Sequence, residues 1–112
     1  MYRVFLLPEF KKRVKKLLTR KELEKLEEFI ENDLKSKGDK VGDQLTYPFL
    51  REKKISGKRV YWLAYKKIAI ILLVEASNKK AQQRTIDEIK LYLPEYKEFA
   101  YQLYEKLKNN KD

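Results

Sequence analysis

The sequence of 112 residues has no cysteine and no histidine. Without cysteine the chain has no disulfide, no thiolate nucleophile and no cysteine-based zinc site. Without histidine it lacks the usual general base and the commonest metal ligand. Long apolar runs are also absent, since MYRVFLLPEF and IAIILLV are too short for a signal peptide or a membrane span. We therefore expect a cytoplasmic protein that contacts no membrane and uses no metal or cofactor.

Basic residues are in excess throughout the chain. There are 27 lysines and arginines against 17 acidic residues, which gives a formal charge of +10. A charge of this sign and size attracts polyanions, so nucleic acid or the ribosome is the first partner to consider. The alternative is a lysine-rich composition with no such partner. The positions of the basic residues have to decide between these two interpretations.

The first half of the chain has the pattern of one strand and two helices. YRVFLL is rich in strand-forming residues and ends at Pro8, which suits the first turn of a helix. Phe10, Val14 and Leu18 then recur at helical spacing. Thr19 and Glu22 form the pattern of a capping box, which predicts the start of a second helix directly after the first. The short link predicts an antiparallel helical hairpin.

The second half begins with strands and ends with helices. QLTYPFLREKK, KRVYWLAY and KIAIILLVEA are predicted strands, the first disturbed by Pro48 and the last central in its sheet. Ile86 and Ile89 indicate one further helix, and residues 94–108 a final one. The prediction is a single α+β domain over residues 1–112, in which an N-terminal helical hairpin packs on a twisted antiparallel sheet and C-terminal helices are added.

The segment LREKKISGKRVYW predicts a basic β-hairpin with two candidate registers. A two-residue turn at Ser56-Gly57 would place cations beside apolar side chains of the next strand. A three-residue loop with Gly57 left-handed instead separates the faces, so we prefer it. In that register one face carries Arg51, Lys53, Arg59 and Tyr61, and the other carries Leu50, Val60, Trp62 and Ala64. A basic face with an aromatic ring suits phosphate contacts and base stacking.

The runs LREKKISGKRVYWLAY and NKKAQQRTIDEIK, with an apolar strand between them, resemble the RelE/ParE toxin superfamily, especially its RelE-like and HigB-like members. The resemblance extends over about residues 2 to 92. It implies two helices on a twisted antiparallel sheet. It also implies the toxin of a type II toxin-antitoxin system, a metal-independent endoribonuclease (mRNA interferase) that cuts messenger RNA on the ribosome. Such toxins inhibit translation and are held inactive by a cognate antitoxin.

Carried over to this chain, the resemblance implies a catalytic set of arginines and lysines. Arginine guanidinium groups would stabilise the charge that builds on the phosphoryl oxygens, one lysine would act as the base, and another would protonate the leaving oxygen. The catalytic residues in this interpretation are Arg51, Lys53, Arg59 and Lys80. Many RelE-like toxins have a tyrosine where this chain has Ile86, and Gln83 matches the HigB-like pattern instead. The further RNA-binding residues are Lys54, Lys58, Tyr61, Lys79, Gln83 and Arg84.

Other interpretations stay open at this stage. A ParE-type member of the superfamily would poison DNA gyrase without the basic cluster, and a non-catalytic RNA-binding or ribosome-binding module would use its cations only to anchor phosphates. The final helix is expected to cover the core, with a homodimer contact or an antitoxin dock as alternatives. The homodimer contact would use Tyr96, Phe99, Leu103 and Tyr104.

Overall fold

A computed structural model describes residues 1–110, beginning with strand β1 at Arg3–Leu6. Helix α1 (Pro8–Leu17) and helix α2 (Arg20–Phe29) follow, and α2 continues through a π-helical turn at Ile30–Leu34 into the short α3 (Lys35–Lys37). The capping box at the start of α2 is confirmed: Thr19 N–H donates to Glu22 Oε1 at 2.8 Å, and Glu22 N–H donates to Thr19 Oγ1 at 3.2 Å.

Four further strands complete a five-stranded sheet in the order β1-β5-β4-β3-β2. They are β2 (Asp43–Gln44), β3 (Leu50–Ile55), β4 (Lys58–Tyr65) and β5 (Ile70–Asn78). The strand expected around Pro48 is split there into β2 and β3. Strand β1 pairs with β5 in parallel and the other pairs are antiparallel, so the sheet is mixed and the prediction of an antiparallel sheet is wrong at this edge. No short turn joins β1 to β5, so nothing local fixes their relative direction.

The sheet separates two apolar cores. On one face, Val60, Trp62 and Ile71 pack with Phe10 of α1 and Phe29 of α2; we call this the α1–α2 face. The other face packs against the helices that follow β5 and is called the α4–α5 face. Strand β5 contributes buried side chains to both cores, as expected of a strand covered on both sides.

Helices α4 (Gln82–Leu91) and α5 (Leu93–Asn109) cover the second face. Ile86, Ile89 and Ala100 are buried there against Leu63 and Leu72 of the sheet. The final helix predicted over residues 94–108 is therefore present, and its apolar side covers the core. In the described residues, 1 to 110, no helix is long and apolar enough to cross a membrane.

Candidate nucleic-acid site

The β3–β4 hairpin turns through two residues, Ser56 and Gly57. Ile55 pairs with Lys58, Lys54 with Arg59, and Arg51 with Trp62. The prediction of a three-residue loop is therefore wrong, and so is the left-handed Gly57, because Ser56 takes the positive φ of 56°. Since side chains alternate along a strand, a shift of one residue in the pairing moves side chains to the opposite face. The basic residues of β3 consequently face the other way from the expectation.

Arg51 lies on the α1–α2 face, where backbone carbonyls hold its guanidinium group. Nε donates to the Val41 carbonyl at 2.7 Å, and the two terminal nitrogens donate to Pro48 and Gly42 carbonyls at 3.2 Å and 3.3 Å. All three acceptors belong to the segment that leads into β3. The side chain is buried and its donors are directed at the protein's own backbone. Arg51 therefore fixes the entry to the sheet, which contradicts its predicted catalytic position.

Two other predicted residues also lie on the α1–α2 face, where they contact α2. Lys53 pairs with Val60 on the α1–α2 face, and its Nζ lies 5.2 Å from the centroid of the Phe29 ring. Lys58 Nζ lies 2.9 Å from Oε1 of Glu22, the capping-box carboxylate. The aliphatic part of each lysine side chain covers apolar surface, while its ammonium group contacts the Phe29 ring or the Glu22 carboxylate. Lys58 thereby ties the β-hairpin turn to the start of α2.

Arg59 lies on the α4–α5 face within a largely buried polar group that we call the Arg59 cluster. Its members are Glu52, Arg59, Tyr61, Ser77 and Gln82. Arg59 Nε is 3.7 Å from Glu52 Oε2, an ion pair too long for a hydrogen bond. Gln82 Nε2 donates to both Glu52 oxygens at 3.0 Å and 3.1 Å, and the Tyr61 and Ser77 hydroxyls are 2.9 Å apart. A carboxylate, a guanidinium group and a phenol thus meet at one end of the sheet.

The Arg59 cluster has one unsatisfied donor. Within residues 1–110, the buried Nε of Arg59 has no hydrogen-bond partner. Burial is the main cause that raises the pKa of Tyr61; the bond to Ser77 opposes it and the charge of Glu52 adds to it. The phenol therefore stays protonated at neutral pH. Because the Tyr61 ring is fully buried, it cannot stack on a base in this conformation, which contradicts the predicted role.

The remaining predicted residues follow β5 on the surface. Ser77 pairs directly with Arg59, and Lys80 lies in the turn between Ser77 and Gln82. Lys79, Lys80, Gln83 and Arg84 are exposed, and Lys54 is exposed beside Arg59 on the neighbouring strand. Gln83 Nε2 donates to Asp87 Oδ1 at 3.0 Å within its own helix. These exposed residues are neighbours of Arg59 in the sheet or of Ser77 and Gln82 along the chain.

Of the four predicted catalytic residues, Arg59 alone belongs to the Arg59 cluster, and Lys80 lies in the turn that follows β5, the strand paired with Arg59. Arg51 and Lys53 lie on the opposite face, the α1–α2 face, so the prediction that all four surround one hollow is wrong. The sequence reasoning missed Glu52, which is 3% exposed and central to the cluster. Its signal was a lone acidic residue in a basic hairpin. Residues 1–110 contain no group of acidic side chains arranged to hold a metal ion.

Comparison with known proteins identifies the fold. No protein-family model and no curated protein sequence matches the chain. Among solved structures, the chain is similar to one in the toxin-antitoxin complex RelBE2 from Mycobacterium tuberculosis, with a TM-score of 0.59 and 16% identity over 70% of this chain and 98% of that one. A further likeness is to YafQ from E. coli strain BL21(DE3), with a TM-score of 0.49 and 13% identity over 73% of this chain and 98% of that one. The likeness to the RelBE2 chain shows that the two chains share a fold, as the sequence resemblance to RelE-like toxins implied.

Proposed function

We propose that this protein is the toxin of a type II toxin-antitoxin pair and acts on ribosome-bound messenger RNA in the cytoplasm. The fold shared with a chain of the RelBE2 complex supports the class, and by the same likeness a cognate antitoxin is the expected protein partner. The net charge of +10 supports an anionic target. Lys54, Lys79 and Arg84 are exposed near the end of the sheet and would contact phosphates there.

The proposed reaction is cleavage of a phosphodiester at the Arg59 cluster. The ribose 2′-hydroxyl attacks the adjacent phosphorus and transfers its proton to the Glu52 carboxylate. Arg59 stabilises the negative charge that builds on the phosphoryl oxygens. The bond to the 5′-oxygen breaks, and Lys80 gives that oxygen a proton. The products are a 2′,3′-cyclic phosphate and a 5′-hydroxyl end. The observation that carries this proposal is the buried Glu52–Arg59 pair with its unsatisfied Nε.

Access to the carboxylate of the pair requires that the Gln82 side chain move. Gln82 donates to both oxygens of Glu52, so it occupies the carboxylate that would take the proton. In the proposed mechanism, Gln82 releases Glu52 when RNA binds. Replacing Gln82 by alanine should therefore leave cleavage intact or increase it, whereas Glu52→Gln should abolish it.

A non-catalytic RNA-binding module is the second candidate, because the side chains of Arg59 and Glu52 are only 9% and 4% exposed. In that case the pair would stabilise the sheet and the exposed lysines would bind phosphates. Binding would then fall steeply with salt, and no cleavage product would appear.

The test adds purified protein to a translating extract and maps the 5′ ends of the messages. We expect cleavage inside reading frames with the wild type, none with Glu52→Gln or Arg59→Lys, and wild-type cleavage with Lys106→Ala, which removes an exposed charge on α5. Circular dichroism of each variant checks that it is folded. Intact messages with the wild type, together with salt-sensitive RNA binding, would replace the nuclease by the RNA-binding module.

A further inference from the structure

A second candidate site lies at the other end of β4 from the Arg59 cluster. It is a cavity of about 330 Å³ between α5, the end of β4 and the turn that follows β4. Its apolar wall is formed by Phe49, Ala64, Tyr65, Leu93 and Tyr101. Cavities of about 300 to 1,000 Å³, apolar with a few polar groups, are the usual form of small-molecule sites. The helix of a partner protein, about 10 Å wide with its side chains, would not fit in this volume.

Three lysines stand around the cavity: Lys66, Lys67 and Lys97. All three are exposed. Within residues 1–110 neither Lys67 nor Lys97 forms an ion pair, while Lys66 Nζ lies 3.7 Å from Asp39 Oδ2. An apolar cavity bordered by the unpaired ammonium groups of Lys67 and Lys97 is complementary to a molecule that combines an apolar group with an anionic group.

The turn that presents Lys66 and Lys67 has a fixed conformation. It is a short 3₁₀ helix at Lys66–Ile68 that ends on Ala69 in the left-handed region, with a φ of 53°. A non-glycine residue keeps this conformation where the surrounding structure holds it, as often occurs at ligand sites.

We propose that this cavity binds a small aromatic carboxylate. The ring would pack against Phe49, Leu93 and Tyr101. The carboxylate would pair with Lys67 and Lys97. This inference goes beyond the proposed function, because the cavity shares no residue with the Arg59 cluster.

The experiment compares 4-phenylbutyrate with 4-phenylbutan-1-ol, which has the same ring and chain but no charge. Binding is measured by calorimetry, and the site is located by amide chemical shifts. We expect saturable binding of the carboxylate at least tenfold tighter than the alcohol, with shifts centred on Phe49, Leu93 and Tyr101. The double variant Lys67→Ala/Lys97→Ala should weaken the carboxylate at least tenfold and leave the alcohol unchanged.

One control separates this site from general charge attraction. Lys12→Ala/Lys106→Ala removes two exposed lysines elsewhere and should bind the carboxylate as the wild type does. The proposal would be overturned if the carboxylate and the alcohol bound with equal affinity, or if neither showed saturable binding. It would also be overturned if the two double variants weakened carboxylate binding equally. Glu52→Gln should bind 4-phenylbutyrate normally, so failure of the nuclease proposal would not affect this result.

Discussion

Replacement of Arg51 by lysine distinguishes a structural arginine from a catalytic one. In the structure, Arg51 donates to three backbone carbonyls before β3 and faces away from the Arg59 cluster. Lysine keeps the positive charge but cannot direct several planar donors at separate carbonyls. We therefore expect Arg51→Lys to reduce the stability of the fold.

The magnitude follows from the three hydrogen bonds. The 2.7 Å bond from Nε to the Val41 carbonyl is the strongest, and a hydrogen bond to a charged group contributes about 1.5–3 kcal/mol. The bonds to Pro48 and Gly42 are longer, and both residues are exposed, so water replaces the lost donors. We expect a total loss of about 2–3 kcal/mol in the free energy of unfolding. At about 4 °C per kcal/mol for a domain of this size, Tm should fall by about 10 °C.

Urea unfolding followed by tryptophan fluorescence measures this loss. Trp62 is the single tryptophan, is fully buried, and donates from Nε1 to the Gly38 carbonyl at 2.8 Å, so its emission reports the native core. Lys54→Ala, an exposed cation on the same strand, is the matched control and should change stability by less than about 0.5 kcal/mol. If Arg51→Lys were as stable as the control but had lost cleavage, Arg51 would serve the substrate and our assignment would be refuted.

Three other predictions concern the helix cap and the glycines. Thr19→Ala should cost about 1 kcal/mol in urea unfolding, because it removes the hydroxyl that accepts from the Glu22 amide; an unchanged midpoint would contradict the cap. The Thr19 amide is the largest cause that lowers the pKa of Glu22 from 4.5 to about 2. The stabilisation of the fold by ionised Glu22 should be complete above pH 4.5 and disappear as the pH falls toward 2. Stability should therefore change less with pH in Glu22→Gln than in the wild type over that window; equal pH dependence in the two proteins would contradict this. Gly42→Ala should destabilise by more than about 2 kcal/mol, since φ is +70° and the added methyl would overlap the Trp62 ring, whereas Gly57→Ala meets open space and should be nearly neutral; similar unfolding midpoints for the two would argue against it.

Local patterns predicted most of the elements correctly. The Thr19–Glu22 capping box, the apolar spacing of Phe10 and Val14, and the strand character of KRVYWLAY depend on residues close together in the chain. Local hydrogen bonds and side-chain periodicity decide such features, so the sequence alone specifies them. The parallel pairing of β1 with β5 joins distant segments and had no local signal.

The candidate site was predicted less well, for one physical reason. Placing Arg51 beside Trp62 looked unfavourable from the sequence, because a cation would meet a core residue. The fold supplies what the sequence could not show: carbonyls from Val41, Gly42 and Pro48 that surround the guanidinium group. With those acceptors present, the Arg51 donors are hydrogen-bonded in the register that the two-residue turn sets. In that register Glu52, rather than Lys53, lies close to Arg59.

The sequence by itself determined the helices, most of the strands, the strong positive charge and the resemblance to RelE-like toxins. Only the tertiary structure decided which cations face which side of the sheet. The reason is the alternation of side chains along a strand: shifting the pairing by one residue exchanges the faces, and contacts from distant segments select the register. Those contacts placed Arg51 and Lys53 on the α1–α2 face, where they contact other parts of the protein. Arg59 and Glu52 remain together on the opposite face as the candidate site.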